Sequence, residues 1–262
     1  MRTVARINTT PLKGTALQHP DDVEVTRTGI VGDRRFYLVD TMGDLFTSFA
    51  HGPLVQVRAD HDASADRLRL VLPDGHDVTG PGTADGEAVV TDFYGRAVPG
   101  TVVRGEVADA LAGYVGRDVR LVRADRPNGG VDEEPITLVS EASVRDLANR
   151  GGHDGALDPR RFRMSFELAG CEPYEEDTWA GLDVSVGEVV LRVAGQVPRC
   201  RVTNQDPITG ARDWNTLTQI ARFRERIPGG GGLPFGAYAR VVAPGRVRVG
   251  DAVVPSPRPS TP

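Results

Sequence analysis

Leu68-Arg-Leu-Val-Leu-Pro-Asp-Gly75 is a short β-rich run closed by a Pro-Asp-Gly turn. Similar runs flank it: Arg35-Phe-Tyr-Leu-Val39 and Leu54-Val-Gln-Val57 before it, Glu87-Ala-Val-Val-Thr91 after it, separated by clusters such as Gly80-Pro-Gly82. Val4 to about Val122 therefore reads as a small all-β unit. One helical pattern interrupts it at Val107 to Val115, where apolar residues at 107, 108, 110, 111 and 114 share a face. Val119-Arg-Leu-Val122 is a further strand. The Gly/Pro/Asp/Glu-rich stretch Arg123 to Pro135 then reads as a linker or mobile loop and carries the expected domain boundary.

Beyond it, Ile136-Thr-Leu-Val139 is a strand running into Ser140-Glu-Ala-Ser143 and the apolar Val144/Leu147/Ala148 stripe, which predicts a helix capped by Ser140 and ended by Gly151-Gly152. Strands are expected at Phe162 to Leu168, Val184 to Val186, Val189 to Val193, Arg199 to Thr203, Ala237 to Val242 and near Val247 to Val253. A second helix is expected over Trp214 to Arg226, with Leu217, Ile220, Ala221 and Phe223 on its apolar side. The Pro/Ser-rich tail after Val254 is expected to be disordered. Gly229 to Gly232 is the low-complexity feature.

The chain has 262 residues, 39% of them apolar, which suffices for one large domain or two small ones. Its net charge of −5 argues against binding nucleic acid by phosphate neutralisation. The lack of a long apolar run argues against a membrane span or signal peptide, so a cytoplasmic location is expected. Five scattered histidines offer no paired metal spacing, and no GxSxG, Walker loop or GxGxxG follows a strand. Of the 31 basic residues, all but Lys13 are arginine. The acidic cluster Glu172 to Asp177 reads either as a solvated loop or as a metal site.

Cys171 and Cys200 are too few for a disulfide framework or a four-ligand zinc site. Cys200 follows a strand, stands between Arg199 and Arg201, and precedes the turn Asp206-Pro-Ile-Thr-Gly210. It reads either as a structural cysteine on a strand or as a thiol pushed toward thiolate by the guanidinium groups, fit for an electrophile or a soft metal. Lys13-Gly14, Asp33-Arg-Arg35, Arg160-Arg-Phe-Arg163 and the Ser140/Ser143 helix start supply what an anionic phosphate needs, if they converge.

Phe162-Arg-Met-Ser-Phe-Glu-Leu-Ala-Gly170, Tyr174-Glu-Glu-Asp-Thr-Trp179, Val186-Gly-Glu188, Pro198-Arg-Cys200 and Asp206-Pro-Ile-Thr-Gly210 together resemble the MOSC domain, named for the C-terminal part of molybdenum-cofactor sulfurases. Thr10-Pro-Leu-Lys-Gly14, Gly32-Asp-Arg-Arg-Phe-Tyr-Leu-Val-Asp40 and Ser140-Glu-Ala-Ser143 resemble the β-barrel domain that precedes it and the start of the MOSC domain in the mitochondrial amidoxime-reducing components and bacterial relatives. The resemblance implies a mainly β, α+β protein: an N-terminal β-barrel over 1–122, a MOSC β-barrel over 123–254 and a tail over 255–262. It implies a molybdenum cofactor, a pterin carrying a dithiolene and a terminal phosphate. Cys200 then matches the molybdenum ligand and Lys13 a phosphate ligand, and Arg35, or Arg34 one position earlier, matches a pterin or phosphate arginine. Ser140, Ser143, Arg163, Ser165 and Arg199 complete the expected cofactor contacts, and Asp206 is a candidate proton donor.

The sequence departs from the family pattern at Gly14, where serine is usual, at Met164-Ser165 for Pro-Asn, at Thr47-Ser-Phe-Ala50 for Thr-Ala-Arg-Gln, and at Val197 for an extra cysteine. The expected activity is two-electron reduction of N-hydroxylated or related N–O compounds, a small-molecule substrate, at a Cys200-bound molybdenum. With no iron–sulfur, flavin or haem motif in the chain, a separate electron-donor protein is the expected partner. The alternative is a cofactor carrier or sulfur-transfer protein without turnover of its own.

Overall fold

The computed structural model describes residues 1–229 and 231–257. A seven-stranded sheet organises the second half, in the order Thr3–Ile7, Phe166–Ala169, Ile136–Ser140, Leu233–Ala243, Val189–Arg199, Asp183–Val186 and Val253–Pro255. Its two edges meet: Thr3 bridges Ala252, and the Val253 amide donates to the Arg2 carbonyl at 3.0 Å, so the sheet nearly closes into a barrel. Period-two alternation fills the inside, with Val184 and Val186 facing inward across the hairpin from Val189, Leu191 and Val193. The pairing of Ile136–Ser140 with Phe166–Ala169 is parallel, and α1 (Glu141–Gly151) lies in the crossover such a pair requires.

The first half builds a five-stranded sheet in the order Leu45–Phe46, Phe36–Val39, Arg120–Ala124, Arg96–Val103 and Ala88–Phe93, beside the meander Arg58–Asp62, Arg67–Val71 and Asp77–Pro81. The helix Glu106–Val115 closes a core around Leu54, Leu68, Leu70 and Leu111. The chain is thus mainly β with few helices, as expected. Its N-terminal strands belong to the second half: Thr3–Ile7 pairs with Phe166–Ala169, and Asp22–Thr26 with Gly245–Arg248. Among the described residues no helix is long and apolar enough to cross a membrane.

Several segments differ from the sequence expectation, each for a local reason. Leu54 to Gln56 of the run expected at Leu54–Val57 lie in a 3₁₀ turn, Gly52–Gln56, with Pro53 in its first turn, and extended Val57 ends it. The strand expected at Phe162 to Leu168 is shortened to Phe166–Ala169, because Asp158 caps the 3₁₀ turn Pro159–Phe162 and Arg163 takes the left-handed region at φ 54°. Arg199 to Thr203 is no strand: the Val189–Arg199 strand ends there and Cys200 heads the 3₁₀ turn Arg201–Asn204. The helix expected over Trp214 to Arg226 is only Thr216–Ala221, started by Asn215, whose side chain accepts from the Thr218 amide at 3.2 Å.

The last expected strand is two, Gly245–Arg248 and Val253–Pro255, separated by a turn at Gly250. The tail begins later than expected, since Pro255 is in a strand and the Ser256 amide donates to Asp183; residues 258–262 lie outside the described residues. The 123–135 stretch is not free. The buried Asn128 amide holds the Asp33 carbonyl at 2.9 Å, and Arg96 grips the Gly129, Val131 and Asp132 carbonyls.

Candidate functional site

A cleft of about 840 Å³, including its open mouth, lies where the first-half barrel, the 125–135 stretch and the large sheet meet. Lys13, Arg34, Arg163, Ser165, Arg199 and Cys200 all line it, so residues as much as 187 positions apart converge. Lys13 reaches in from a loop whose Lys13 amide donates to the Phe36 carbonyl at 2.9 Å. The buried ammonium donates to the Gly130 carbonyl at 2.9 Å and to the Asp132 carboxylate at 2.5 Å, and sits 5.2 Å from the centre of the Phe93 ring. Burial pulls the Lys13 ammonium below its ordinary range; Asp132 opposes that pull, and Arg34 and Arg163 add to it.

Arg34 and Arg163 share an uncommon device. Both take positive φ, 47° and 54°, a conformation that costs a non-glycine residue about 1–2 kcal/mol and persists only where surroundings enforce it. Both side chains tie neighbouring segments together: Arg34 Nη2 donates to the Arg163 carbonyl at 3.0 Å, and Arg163 Nη2 donates to the Thr15 carbonyl at 2.7 Å. Asp33, itself buried, pairs with Arg34. Burial, then the Arg34 charge, lowers Arg163 to about 10.

At the other end, Arg199 packs over Phe162, donates to its carbonyl at 2.5 Å, and leaves a buried Nε with no hydrogen-bond partner among the described residues. Burial lowers its guanidinium as well. Phe162 is held by a 4.4 Å stack on Phe235. Cys200 follows at the rim, exposed, as the residue that precedes the 3₁₀ turn Arg201–Asn204; its carbonyl accepts from the Thr203 hydroxyl at 2.9 Å. Ser165 is buried in the wall, where its amide and hydroxyl bond Thr137.

Four expected residues are not in the cleft. Arg35 lies near Arg123, Asp66 and Asp125, and the left-handed turn at Arg34 makes Arg34 the arginine that enters. Ser140 caps α1, accepting from the Ser143 amide at 3.0 Å, and Ser143 donates to the buried Glu176 carboxylate at 2.9 Å. Glu176 also accepts from the Ser140 amide at 3.2 Å, so the helix start that reads as an anion site is filled by the chain's own carboxylate. Asp206 is committed to its turn: one oxygen accepts from the Ile208 and Thr209 amides and the Thr209 hydroxyl, and these bonds outweigh burial to hold it below the usual carboxylate range. Gly210 ends that turn at φ 74°, against the backbone of Gly52.

Three lining residues carry no signal in the sequence: Tyr94, Asp132 and Tyr238. Tyr94 projects from the turn between Ala88–Phe93 and Arg96–Val103 at φ 56°, and Tyr238 from the strand paired with Ile136–Ser140. Burial, then Asp132, raises both phenols, keeping them neutral. Burial alone would raise Asp132, but the Lys13 ammonium and the bond it donates, with Arg34 and Arg199, hold it low. Glu134 is turned away to Arg240 at 2.5 Å.

Family models match both halves of the chain: the MOSC N-terminal beta barrel domain over residues 1–118 and the MOSC domain over residues 125–254. The chain belongs to the MOSC family. This MOSC chain is 35% identical over 128 residues to mitochondrial amidoxime-reducing component 1 of Mus musculus, a match covering 47% of the chain and 36% of that protein. It is 36% identical over 128 residues to mitochondrial amidoxime reducing component 2 of Rattus norvegicus, covering 47% and 37%. It is 32% identical over 154 residues to the molybdenum cofactor sulfurase of Drosophila mojavensis, covering 55% and 19%. The match thus spans little more than a third of the amidoxime-reducing components' length. Among solved structures, the YUAD protein from Bacillus subtilis aligns over 97% of this chain and 94% of that one, at 12% identity and a TM-score of 0.46.

Proposed function

We propose that this MOSC chain binds the molybdenum cofactor in the cleft and reduces N-hydroxylated small molecules there. The observation that supports this most is the convergence of Lys13, Arg34, Arg163 and Arg199 in the cleft that has Cys200 at its rim. The donor set fits the group. Four cationic side chains face two carboxylates, one already turned to Arg240, and the buried Arg199 Nε lacks a partner; a phosphate-bearing pterin supplies the missing acceptors. Among the described residues no three His, Cys, Asp or Glu side chains converge as a metal site. A single thiolate at Cys200 therefore suits a metal that arrives already held by the sulfurs of its cofactor. When bound, that cofactor supplies a redox-active metal exchanging two electrons.

The chain's own residues do the rest. Lys13, Arg34 and Arg163 form the cationic end that would hold a phosphate, and Arg199 lies between it and Cys200. In this reading neutral Tyr94, which is exposed, and Tyr238, which is buried, line the cleft as hydroxyl donors. Reduction of an amidoxime consumes two electrons and two protons, breaks the N–O bond, and releases the amidine and water. In this reading a separate electron-donor protein supplies the electrons. The amidoxime-reducing relatives favour this reading; the similarity to a molybdenum cofactor sulfurase favours the alternative of a carrier.

Metal analysis and mass spectrometry of the released pterin, followed by benzamidoxime turnover with a reduced dye, test both readings. Molybdenum, pterin and turnover together are expected. Cofactor without turnover makes the chain a carrier, and absence of both molybdenum and pterin overturns cofactor binding.

A further inference from the structure

The 3₁₀ turn Arg201–Asn204 is a wall with two faces. Cys200 and Val202 look into the cleft, while Arg201 and Asn204 look into a separate surface groove of about 1250 Å³, lined also by Arg212, Trp214, Asn215 and Arg226. Arg201, Arg212 and Arg226 are exposed and, among the described residues, none has a carboxylate within ion-pair distance. The one acid in the groove, Asp213, is neutralised by the buried Arg161 at 3.0 Å. A chain of net charge −5 thus concentrates three unpaired cations in one concavity, separated from Cys200 by a single short turn.

We infer that this groove docks the acidic face of a separate electron-carrying protein. The inference rests on the reductase reading for the purpose of the contact and on charge complementarity for its location. Long-range attraction between an acidic carrier and an isolated basic groove orients the encounter, and it does so here beside the thiol that would ligate the metal. The overall negative charge discourages an extended polyanion from spreading over the rest of the surface, which favours a compact acidic protein over nucleic acid.

An acidic [2Fe–2S] ferredoxin is the probe. Its binding to the full chain, measured by titration calorimetry, is expected at low salt and is expected to vanish near ~1 M salt, where the Debye length shrinks to about 3 Å. Arg212→Glu with Arg226→Glu is expected to weaken binding on the order of tenfold or more and to raise the KM for ferredoxin-driven benzamidoxime reduction, with dye-driven turnover unchanged. Arg212→Lys with Arg226→Lys keeps the charge and is expected to keep binding, separating the role of charge from folding.

Equal affinity in the wild type and the Glu variant, no binding at low salt, or tighter binding of a single-stranded DNA oligomer through the same arginines overturns the assignment. A failure of turnover with dye sinks the reductase reading and leaves the calorimetric result standing. The two failures are therefore distinguishable.

Discussion

The Lys13 ammonium and the Asp132 carboxylate meet at 2.5 Å inside the cleft, joining segments 119 positions apart. Lys13 is the one lysine of the chain, and its ammonium is buried while half of Asp132 remains open to the mouth. The carboxylate stands where an incoming anion would meet Lys13, with Arg34 and Arg199 close enough to act on it. A phosphate therefore has to displace Asp132. Pyrophosphate, measured by titration, is expected to bind Asp132→Asn on the order of tenfold more tightly than the wild type, about the strength of one charge-assisted bond no longer broken. Unchanged affinity would mean that the anion does not reach Lys13.

Lys13→Arg is expected to fail where arginine serves everywhere else. The ammonium fits between Gly130, Asp132 and the Phe93 ring with 7% of the residue exposed, and the wider planar guanidinium has no room to turn there. Pterin content after purification is expected to fall several-fold in this variant, with the melting temperature lowered by a few degrees through overpacking. Retention of full pterin content would show that charge alone suffices.

Cys200→Ser separates the two ends of the site. The cationic end does not involve the thiol, so pterin is expected to be retained while molybdenum content falls and turnover drops by roughly a hundredfold or more, as expected when a reactive-centre ligand is lost. Loss of pterin together with the metal would make Cys200, and not the cations, the main anchor.

Much of this was legible from residues alone. The valine- and leucine-rich runs around Leu68–Leu72 and Val184–Val193 form strands because alternation and turn residues agree. Lys13, Arg163, Arg199 and Cys200 were marked by charge and by their neighbours. What was hidden depended on contacts between distant segments. Arg34 and Arg35 differ by one residue, and only the left-handed turn at Arg34 sends it, rather than its neighbour, into the cleft. Ser140 and Ser143 form the cap that their spacing announces, yet Glu176 fills the helix start. Tyr94 and Asp132 reach the site through turns with no periodicity to reveal them. The Thr216–Ala221 helix starts later than its apolar side suggests because Asn215 caps it, while Trp214 packs against His153 with ring centres 4.9 Å apart; its early end at Ala221 has no signal in the sequence.

Glu176 predicts a pH dependence of stability. Burial, against the bonds from Ser140 and Ser143, raises its carboxyl above its ordinary value of 4.5. A raised folded pKa means the folded state holds its proton more tightly than the unfolded chain. The associated stability is full below pH 4.5 and is lost as pH rises through the folded value. Glu176→Gln keeps an acceptor for Ser140 and Ser143 without the charge. Chemical denaturation of this variant is expected to show a smaller decline from acid to neutral pH than the wild type. Parallel pH profiles would show that Glu176 contributes nothing to it.

Gly52 and Gly210 predict a coupled loss of stability. A Cβ on Gly210 would stand 2.1 Å from the Gly52 carbonyl oxygen, and one on Gly52 would stand 2.3 Å from the Gly210 carbonyl oxygen. The Asp206–Gly210 turn thus packs backbone to backbone on the 3₁₀ turn of the first half, which only paired glycines permit. Gly210 also holds φ 74°, so alanine there adds left-handed strain to the clash. Gly210→Ala is expected to cost about 2–5 kcal/mol, the sum of a left-handed residue and an overpacked contact, and Gly52→Ala about 1–3 kcal/mol. Once either alanine has pushed the two turns apart, the second meets less resistance. The double variant is therefore expected to lose clearly less than the sum of the singles in denaturant unfolding. Strict additivity would show that the turns do not press on each other.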